Sequence, residues 1–307
     1  MTARRHRARG AALILAMLIA ALAATVAVTL AAGQQQWLAG VALRSEQVQA
    51  QALAQAGVQW ARQIMFEDVA LGPVDHLGEP WALTLPATPI ENGSIQGRIV
   101  DAQGLLNLND LGHDTAAGTL ARARFTRLFA RLGVPASALD VIADWVDADG
   151  AARPGGAEDA WYRAQPSASL AANAPIVRVA ELAALRNFTP QAADALAPFV
   201  AALPPETKLN VNTAPPEVLA AAIAGLDAAG VARLVALRRE QPFVNISDLR
   251  GRLPAGATLD NEAAFSTGSD YFLVTVVARQ GASLAQARAL LKRGTGSWPQ
   301  VVWQTLE

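Results

Sequence analysis

The first clear pattern in the chain is a long apolar segment, residues 11–32, that contains no charged side chain. A hydrocarbon core about 30 Å thick needs roughly 20 apolar residues of helix, so this segment is long enough to cross a membrane. The basic residues before it are Arg4, Arg5, His6, Arg7 and Arg9. Basic flanks favour the cytoplasmic side. We therefore expect the rest of the chain to lie on the far side of the membrane.

The helical pattern continues past this segment, because residues 34–68 contain no proline and place apolar residues at helical spacing among polar ones. We expect one helix from Ala11 to about Asp68, roughly 85 Å long at 1.5 Å per residue. Its second half is amphipathic and should pack one face on a globular domain. Gly72-Pro73 should end it.

Alternating patterns predict five strands, which are Pro80–Leu85, Ser94–Asp101, Tyr271–Ala278, Ser283–Arg293 and Trp298–Thr305. The block between the second and third strands, from Gln103 to about Thr267, is rich in Ala and Leu and is predicted to be helical throughout. A helical domain inserted into a small antiparallel β-domain follows from this order. Such insertions are tolerated because the ends of a domain usually lie close together.

Composition narrows the possible functions of the 307 residues. The net charge of −1 falls further when the basic N-terminal segment is set aside, which argues against a nucleic-acid binder with a basic face. With no cysteine there is no disulfide framework and no thiolate chemistry. His6, His76 and His113 do not pair with one another at the spacing of metal ligands.

The segment with most carboxylates is residues 144–159, here called the acidic loop, which contains glycines and no lysine. Calcium prefers six to eight oxygen ligands in flexible geometry. Aligned to an EF-hand, Asp147, Asp149 and Glu158 take positions one, three and twelve. Ala152 stands where the sixth position requires glycine, so the loop is not an EF-hand. Two interpretations remain open: the carboxylates converge on one cation, or the loop is solvated and caps the next helix. A catalytic carboxylate pair of the glycosidase type is a weaker alternative.

Residues 209–249 resemble the helix-hairpin-helix modules of DNA-uptake and repair proteins, which bind phosphates at a Gly-x-Gly hairpin. Here the hairpin reads Gly225-Leu226-Asp227-Ala228-Ala229-Gly230, without Gly-x-Gly and with Asp227 facing a phosphate. From Glu206 to Arg250 there are five basic and five acidic residues, which leaves little counterion release to drive binding. We interpret it as structural, with Asn212 or Thr213 capping a helix. The predicted core residues are Leu219, Ile223, Leu226, Leu234 and Leu237.

Three interpretations of the N-terminus remain open from the residues alone, and the first is a plain membrane anchor that is not cleaved. A secretory signal would be cleaved near Leu30-Ala31-Ala32-Gly33, although its apolar region is usually shorter. Cleavage between Gly10 and Ala11 would instead leave the membrane helix on the mature chain, as in the signals of type IV pilins and type II secretion pseudopilins, which this leader resembles. Those subunits usually carry Glu at the fifth mature position, where this chain has Leu15.

Over nearly its whole length the chain resembles the minor pseudopilin K family of type II secretion. One part of this resemblance is Gly10-Ala11-Ala12-Leu13 followed by Leu15, because this family typically lacks glutamate at the fifth mature position. The other parts are Gly104–Asn109, Asp144–Asp149, Gly156–Tyr162 and Leu209–Ala214. The resemblance implies an α+β, pilin-like fold, in which a long N-terminal helix packs on a small antiparallel sheet, with a large inserted α-helical domain. It also implies structural Ca²⁺ in that insertion. The ligands expected are Asp147, Asp149, Glu158 and Asp159, with Asp144 as a further candidate.

The resemblance further implies a non-enzymatic subunit at the tip of the pseudopilus, initiating or capping its assembly in support of export across the outer membrane. Expected partners are the I and J minor pseudopilins, with H below them, the prepilin peptidase and the inner-membrane assembly platform. The N-terminus should be cytoplasmic and the globular part periplasmic, on one inner-membrane span. No nucleic acid is expected, and a membrane-anchored DNA-binding protein is the alternative.

The domains expected on this basis are a leader (1–10), a transmembrane helix (11–32), an amphipathic helix with the first strands (33–102), the inserted helical domain (103–267) and the C-terminal strands (268–307).

Overall fold

The structure is a computed structural model that describes the backbone of residues 3–294 and 296–307, and the side chains of these residues from Ala12 onward. The helices are α1 (Ala3–Asp68), α2 (Ala116–Leu132), α3 (Ala138–Val146), α4 (Asp159–Arg163), α5 (Pro190–Leu196), α6 (Pro216–Ala222), α7 (Ala228–Glu240) and α8 (Ile246–Arg252). The strands are β1 (Leu85–Ile90), β2 (Gly93–Asp101), β3 (Leu106–Asn107), β4 (Val200–Ala201), β5 (Leu209–Asn210), β6 (Phe265–Ser266), β7 (Tyr271–Gln280), β8 (Ser283–Gly294) and β9 (Ser297–Leu306).

The long helix predicted from the apolar and amphipathic patterns is α1, whose 66 residues extend roughly 100 Å. It ends at Asp68, and after one 3₁₀ turn Gly72 takes a φ of 135° that favours glycine. The side chain of Leu15 is exposed along the apolar half. Gly10 and Ala11 lie in α1 by their backbone, and the side chain of Ala11 is outside the described residues.

The second half of α1 packs on one face of a five-stranded antiparallel sheet with the order β1-β2-β7-β8-β9. The contact is close because both surfaces are built from small residues. Gly57 of α1 leaves no room for a Cβ against Val276 of β7. The alanines of the two surfaces that are fully buried are Ala50, Ala54, Ala278, Ala285, Ala287 and Ala289. The predicted pilin-like packing of helix on sheet is confirmed.

The first predicted strand, Pro80–Leu85, is wrong in its position. Residues Pro80–Ala82 form a 3₁₀ turn, in which Pro80 occupies the first position and Trp81 is buried with its indole Nε1 donating to Glu79 at 2.9 Å. The strand begins only at Leu85 and contains two prolines. Those prolines are tolerated because β1 is an edge strand, whose outer N–H groups need no partner.

The chain leaves the sheet at the end of β2 and returns to it at β7, and the residues between them fold around their own apolar core. The prediction that this block is helical throughout is wrong. It contains two short parallel strand pairs, β3 with β4 and β5 with β6, and long irregular segments around residues 147–158 and 164–178. Two-residue strands have no periodicity, so the sequence pattern does not reveal them.

A buried polar network, here called the junction, joins α1, the sheet and the insertion. Its central carboxylate is Asp101 at the end of β2, which accepts hydrogen bonds from Thr213 at 2.6 Å, Ser269 at 2.6 Å and Asn210 at 3.0 Å. Burial raises the pKa of Asp101 to about 6. These hydrogen bonds hold the end of β2, where the insertion begins, next to the segment before β7, where the insertion ends.

The second half of the junction is Arg293 of β8, which pairs with Asp75 at 2.6 Å and also with Asp68 at the end of α1. Its guanidinium donates as well to the backbone oxygen of Ser269. Burial raises the pKa of Asp68 to about 6 despite this pairing. The end of α1 is therefore tied electrostatically to the same place as the insertion.

Candidate functional site

The acidic loop begins inside α3 and ends at the first residue of α4. Two aromatic residues of these helices, Trp145 and Tyr162, pack edge to face with ring centroids 5.3 Å apart, which joins the two helices that bound the loop. Arg186 holds the loop from the side, since its guanidinium donates to the backbone oxygen of Gly156 at 2.7 Å. The carboxylates of the loop therefore stand on a packed base.

Three of the predicted ligands converge. Asp147, Asp149 and Glu158 each offer one carboxylate oxygen, and these oxygens lie within 4.8 Å of one another. Asp147 and Glu158 are buried, whereas Asp149 is exposed and accepts a hydrogen bond from the backbone N–H of Ala151. We call these three residues the carboxylate cluster.

Asp144 lies beside the carboxylate cluster and is completely buried. It accepts from the guanidinium of Arg153 at 2.8 Å, and the same guanidinium nitrogen also pairs with Asp147. Gly156 lies directly against the carboxylate of Asp144, where a Cβ would collide with its oxygens. Arg153 thus compensates Asp144 and Asp147, and position 156 has room only for a glycine against the carboxylate of Asp144.

Asp159, the fifth predicted ligand, is placed differently. Its carboxylate accepts from the backbone N–H of Ala171 at 3.0 Å and pairs with Arg163 at 2.8 Å one helical turn away. These bonds direct it away from the carboxylate cluster and toward the following segment. The structure therefore brings four of the five predicted carboxylates to one place.

The charge of this site is not balanced within the part of the chain that the structure describes. Arg153 pairs with Asp144 and Asp147 and, at 3.4 Å, with the exposed Asp114, whereas both oxygens of Glu158 and one oxygen of Asp147 are buried without a hydrogen-bond partner. Burial, followed by the neighbouring carboxylates, raises the pKa of Glu158 to about 7, and burial also raises the pKa of Asp147. Orphaned carboxylate oxygens around one point fit a hard cation such as Ca²⁺.

The segment that resembled a DNA-binding hairpin has structural roles instead. Asn212 exchanges hydrogen bonds with the backbone of Phe243, and Thr213 donates to Asp101 in the junction. The prediction that one of them caps the next helix is wrong, because α6 starts at Pro216 with Pro215 before it. Asp227 caps α7 by accepting from Gly230. A carboxylate thus occupies the helix terminus where a phosphate would bind.

The predicted core of this segment is largely confirmed. Leu219, Ile223, Leu226 and Leu234 are buried, and Leu237 is half-buried.

Sequence reasoning missed the role of Arg153, although this residue lies inside the acidic loop. The absence of lysine suggested that the negative charge of the loop has no counter-charge within it. The position of Arg153 among the aspartates is the signal that could have corrected this interpretation. The junction pair of Arg293 with Asp75 and Asp68 was also missed. Its members are too far apart along the chain to form a local pattern.

Comparison with known proteins identifies the family. Residues 104–205 and 209–268 match the two domain models described as "Type II secretion system (T2SS), protein K". The acidic loop lies inside the first matched range. The chain belongs to the type II secretion system protein K family.

Curated members of the protein K family match most of the chain. The type II secretion system protein K of Pseudomonas aeruginosa is 32% identical over 284 residues, which cover 88% of this chain and 84% of that protein. The protein K of Klebsiella pneumoniae is also 32% identical, over 305 residues that cover 94% and 93%. Membership makes the chain a component of a type II secretion system, from a family of structural pseudopilins that is not a known enzyme family.

A solved structure confirms the fold. A chain in the crystal structure of the GspK-GspI-GspJ complex from the type 2 secretion system of enterotoxigenic Escherichia coli superposes with a TM-score of 0.75 at 24% identity, over 87% of this chain and 99% of that one. Within the described residues, one helix is long and apolar enough to cross a membrane, and its apolar window is not buried. Together with the family, this indicates a single-pass membrane anchor.

The raised pKa of Glu158 makes the protein more stable at low pH than at neutral pH when no cation is bound. A carboxyl whose pKa rises from 4.5 to about 7 on folding stabilises the fold below pH 4.5, and this contribution is lost as the pH rises through 7. In EGTA, the melting temperature should therefore fall between pH 6 and pH 8. Glu158→Gln should reduce that fall, while Glu240→Gln at the exposed end of α7 should leave it unchanged. An equal fall in all three proteins would contradict the burial of this charge.

Proposed function

We propose that this chain is a non-enzymatic minor pseudopilin at the tip of the type II secretion pseudopilus, where it initiates or caps assembly and supports export across the outer membrane. Its membership of the protein K family carries this proposal. The structural relative was solved in a GspK-GspI-GspJ complex, which supports partnership with the I and J minor pseudopilins. We expect the H minor pseudopilin to lie below I and J in the pseudopilus.

The N-terminal helix supports the tip position. By resemblance to pilin-like subunits, we expect the helices to pack side by side in an apolar core, where the glutamate of an incoming subunit pairs with the N-terminal amine of the neighbour above it. Leu15 is exposed on α1 and has no carboxylate to offer a subunit above. The bulk of the insertion, between β2 and β7, would also obstruct stacking from above. Both features suit a subunit with no neighbour on its upper side.

Maturation and location follow from the same assignment. The prepilin peptidase would cleave between Gly10 and Ala11 and leave α1 as the inner-membrane span. The basic leader favours a cytoplasmic N-terminus, which places the globular part in the periplasm until the assembly platform moves the subunit into the pseudopilus.

The acidic loop would bind structural Ca²⁺ through Asp147, Asp149 and Glu158, with Asp144 adjacent. Their unpartnered buried oxygens and the excess of negative charge support this proposal. When bound, the ion supplies positive charge that compensates these carboxylates. It would thereby tie the end of α3 to the start of α4, across a loop that has little regular structure of its own.

The tip assignment predicts a ternary complex. The tagged full-length chain, produced in membranes with I, J and the prepilin peptidase of the same bacterium, should copurify with both partners and carry Ala11 as its N-terminus. Gly10→Ala should remain uncut because the cleavage position is altered. Recovery of the tagged chain without I and J would contradict the assignment. Salt-sensitive DNA binding at micromolar protein would favour the DNA-binding alternative.

The calcium proposal predicts stabilisation by the ion. At a free calcium concentration about 100 times the dissociation constant, binding adds about 2.7 kcal/mol, which should raise the melting temperature by several degrees relative to EGTA. Glu158→Gln should abolish the difference, because it removes a buried ligand oxygen charge, and Glu240→Gln should retain it. Coincident melting curves of the unmodified chain with calcium and with EGTA would show that this loop is not a calcium site.

A further inference from the structure

A single basic residue, Arg153, lies within the acidic loop. Its Nη1 atom donates to Asp144 at 2.8 Å and also pairs with Asp147, and its backbone N–H donates to Asp144 at 3.1 Å. In the described part of the chain, no other basic side chain pairs with Asp144, Asp147 or Glu158. The loop therefore carries one counter-charge of its own.

This counter-charge and a bound cation would share a ligand. Asp147 belongs to the carboxylate cluster, and one of its oxygens is bonded to Arg153 while the other is buried without a partner. A divalent ion on the cluster would therefore lie beside a positive guanidinium that is bonded to the same carboxylate, and the two like charges would repel one another. Solvent and salt screen such a repulsion only weakly, because Asp147 is buried.

The outer end of the Arg153 side chain shows where the guanidinium can move. Its Nη2 atom lies 3.4 Å from Asp114, whose side chain is 88% exposed just before the start of α2. The backbone of the loop is held separately, since Gly156 donates to the carbonyl of Arg153 at 3.0 Å and accepts from Arg186 at 2.7 Å. The guanidinium can therefore leave Asp147 for the surface without a change in these backbone contacts.

We propose that Arg153 is an internal competitor that sets the calcium affinity of the acidic loop. It neutralises Asp144 and Asp147 while no cation is bound, and it releases Asp147 and turns toward Asp114 when a cation is bound. The inference rests on the proposed calcium site and concerns its regulation. Its consequence is that these two carboxylates keep a partner before an ion is available, whereas calcium binds less tightly than it would to the carboxylates alone.

The test is titration calorimetry with calcium chloride on the purified full-length chain in detergent, after treatment with EGTA and removal of the chelator. Arg153→Gln should bind calcium at least about tenfold more tightly than the unmodified chain, because it removes a unit positive charge bonded to a ligand. The matched control is Arg163→Gln, which removes the charge paired with Asp159 outside the carboxylate cluster. Its calcium affinity should change by less than about twofold, because that pair is largely exposed.

The melting temperature gives a second measurement. In EGTA, Arg153→Gln should melt several degrees below the unmodified chain, because two buried carboxylates lose their partner, and saturating calcium should narrow the difference. If Arg153→Gln does not fold without calcium, Arg153→Lys replaces it in the titration. Lysine keeps the charge but lacks the planar fork that bridges two carboxylates, so this variant should also bind calcium more tightly than the unmodified chain.

The outcomes separate this inference from the calcium proposal. Equal calcium affinities of the unmodified chain and Arg153→Gln would overturn the role of Arg153 and leave the calcium site in place. Weaker binding by Arg153→Gln would also overturn it, because Arg153 would then position the ligands instead of competing for one. An absence of calcium binding in both proteins would refute the calcium site itself, and this inference with it.

Discussion

The structure depends on one constraint, which is that a carboxylate removed from water needs a counter-charge or several hydrogen-bond donors. Burying such a group without compensation costs several kcal/mol, so its surroundings must supply partners. The junction meets this requirement. Asp101 receives side-chain donors from the insertion and from the segment that leads back into β7, while Arg293 of β8 holds Asp75 and the end of α1. Compensation of these carboxylates thereby joins the three parts of the chain at one place.

The acidic loop meets the same requirement only in part. Arg153 compensates Asp144 and one oxygen of Asp147, while both oxygens of Glu158 have no partner among the described side chains. The loop and the junction thus differ in the origin of the counter-charge. In the junction the chain provides it, and in the loop a cation from solution would complete it. The loop would then acquire its final structure only when that ion is bound.

Much of the fold could be predicted because its signals are local. The uncharged residues 11–32 and the alternating patterns of β7, β8 and β9 each lie within one continuous stretch, and the acidic loop shows its carboxylates side by side. The turn at Pro80 was mistaken for a strand because burial of Trp81, rather than periodicity, fixes its conformation.

The rest could not be predicted because it depends on contacts between distant residues. Asp101 meets Thr213 and Ser269 only after the insertion has folded, and Arg293 meets Asp68 and Asp75 only after β8 has joined the sheet. The same limit applies within the site. The sequence pattern indicated five carboxylate ligands. Only the folded loop shows that Asp159 is hydrogen-bonded to Ala171 and paired with Arg163, apart from the three carboxylates of the cluster.

The central claim is that the carboxylate cluster is completed by a cation. The most direct measurement is a crystal structure of the globular part, from about Gln34 onward, grown with millimolar calcium. We expect an ion with six to eight oxygen ligands at about 2.3–2.6 Å, including Asp147, Asp149 and Glu158, and a guanidinium of Arg153 that has moved away from Asp147. A structure in which Arg153 still bridges Asp144 and Asp147, with no ion beside Glu158, would contradict the account.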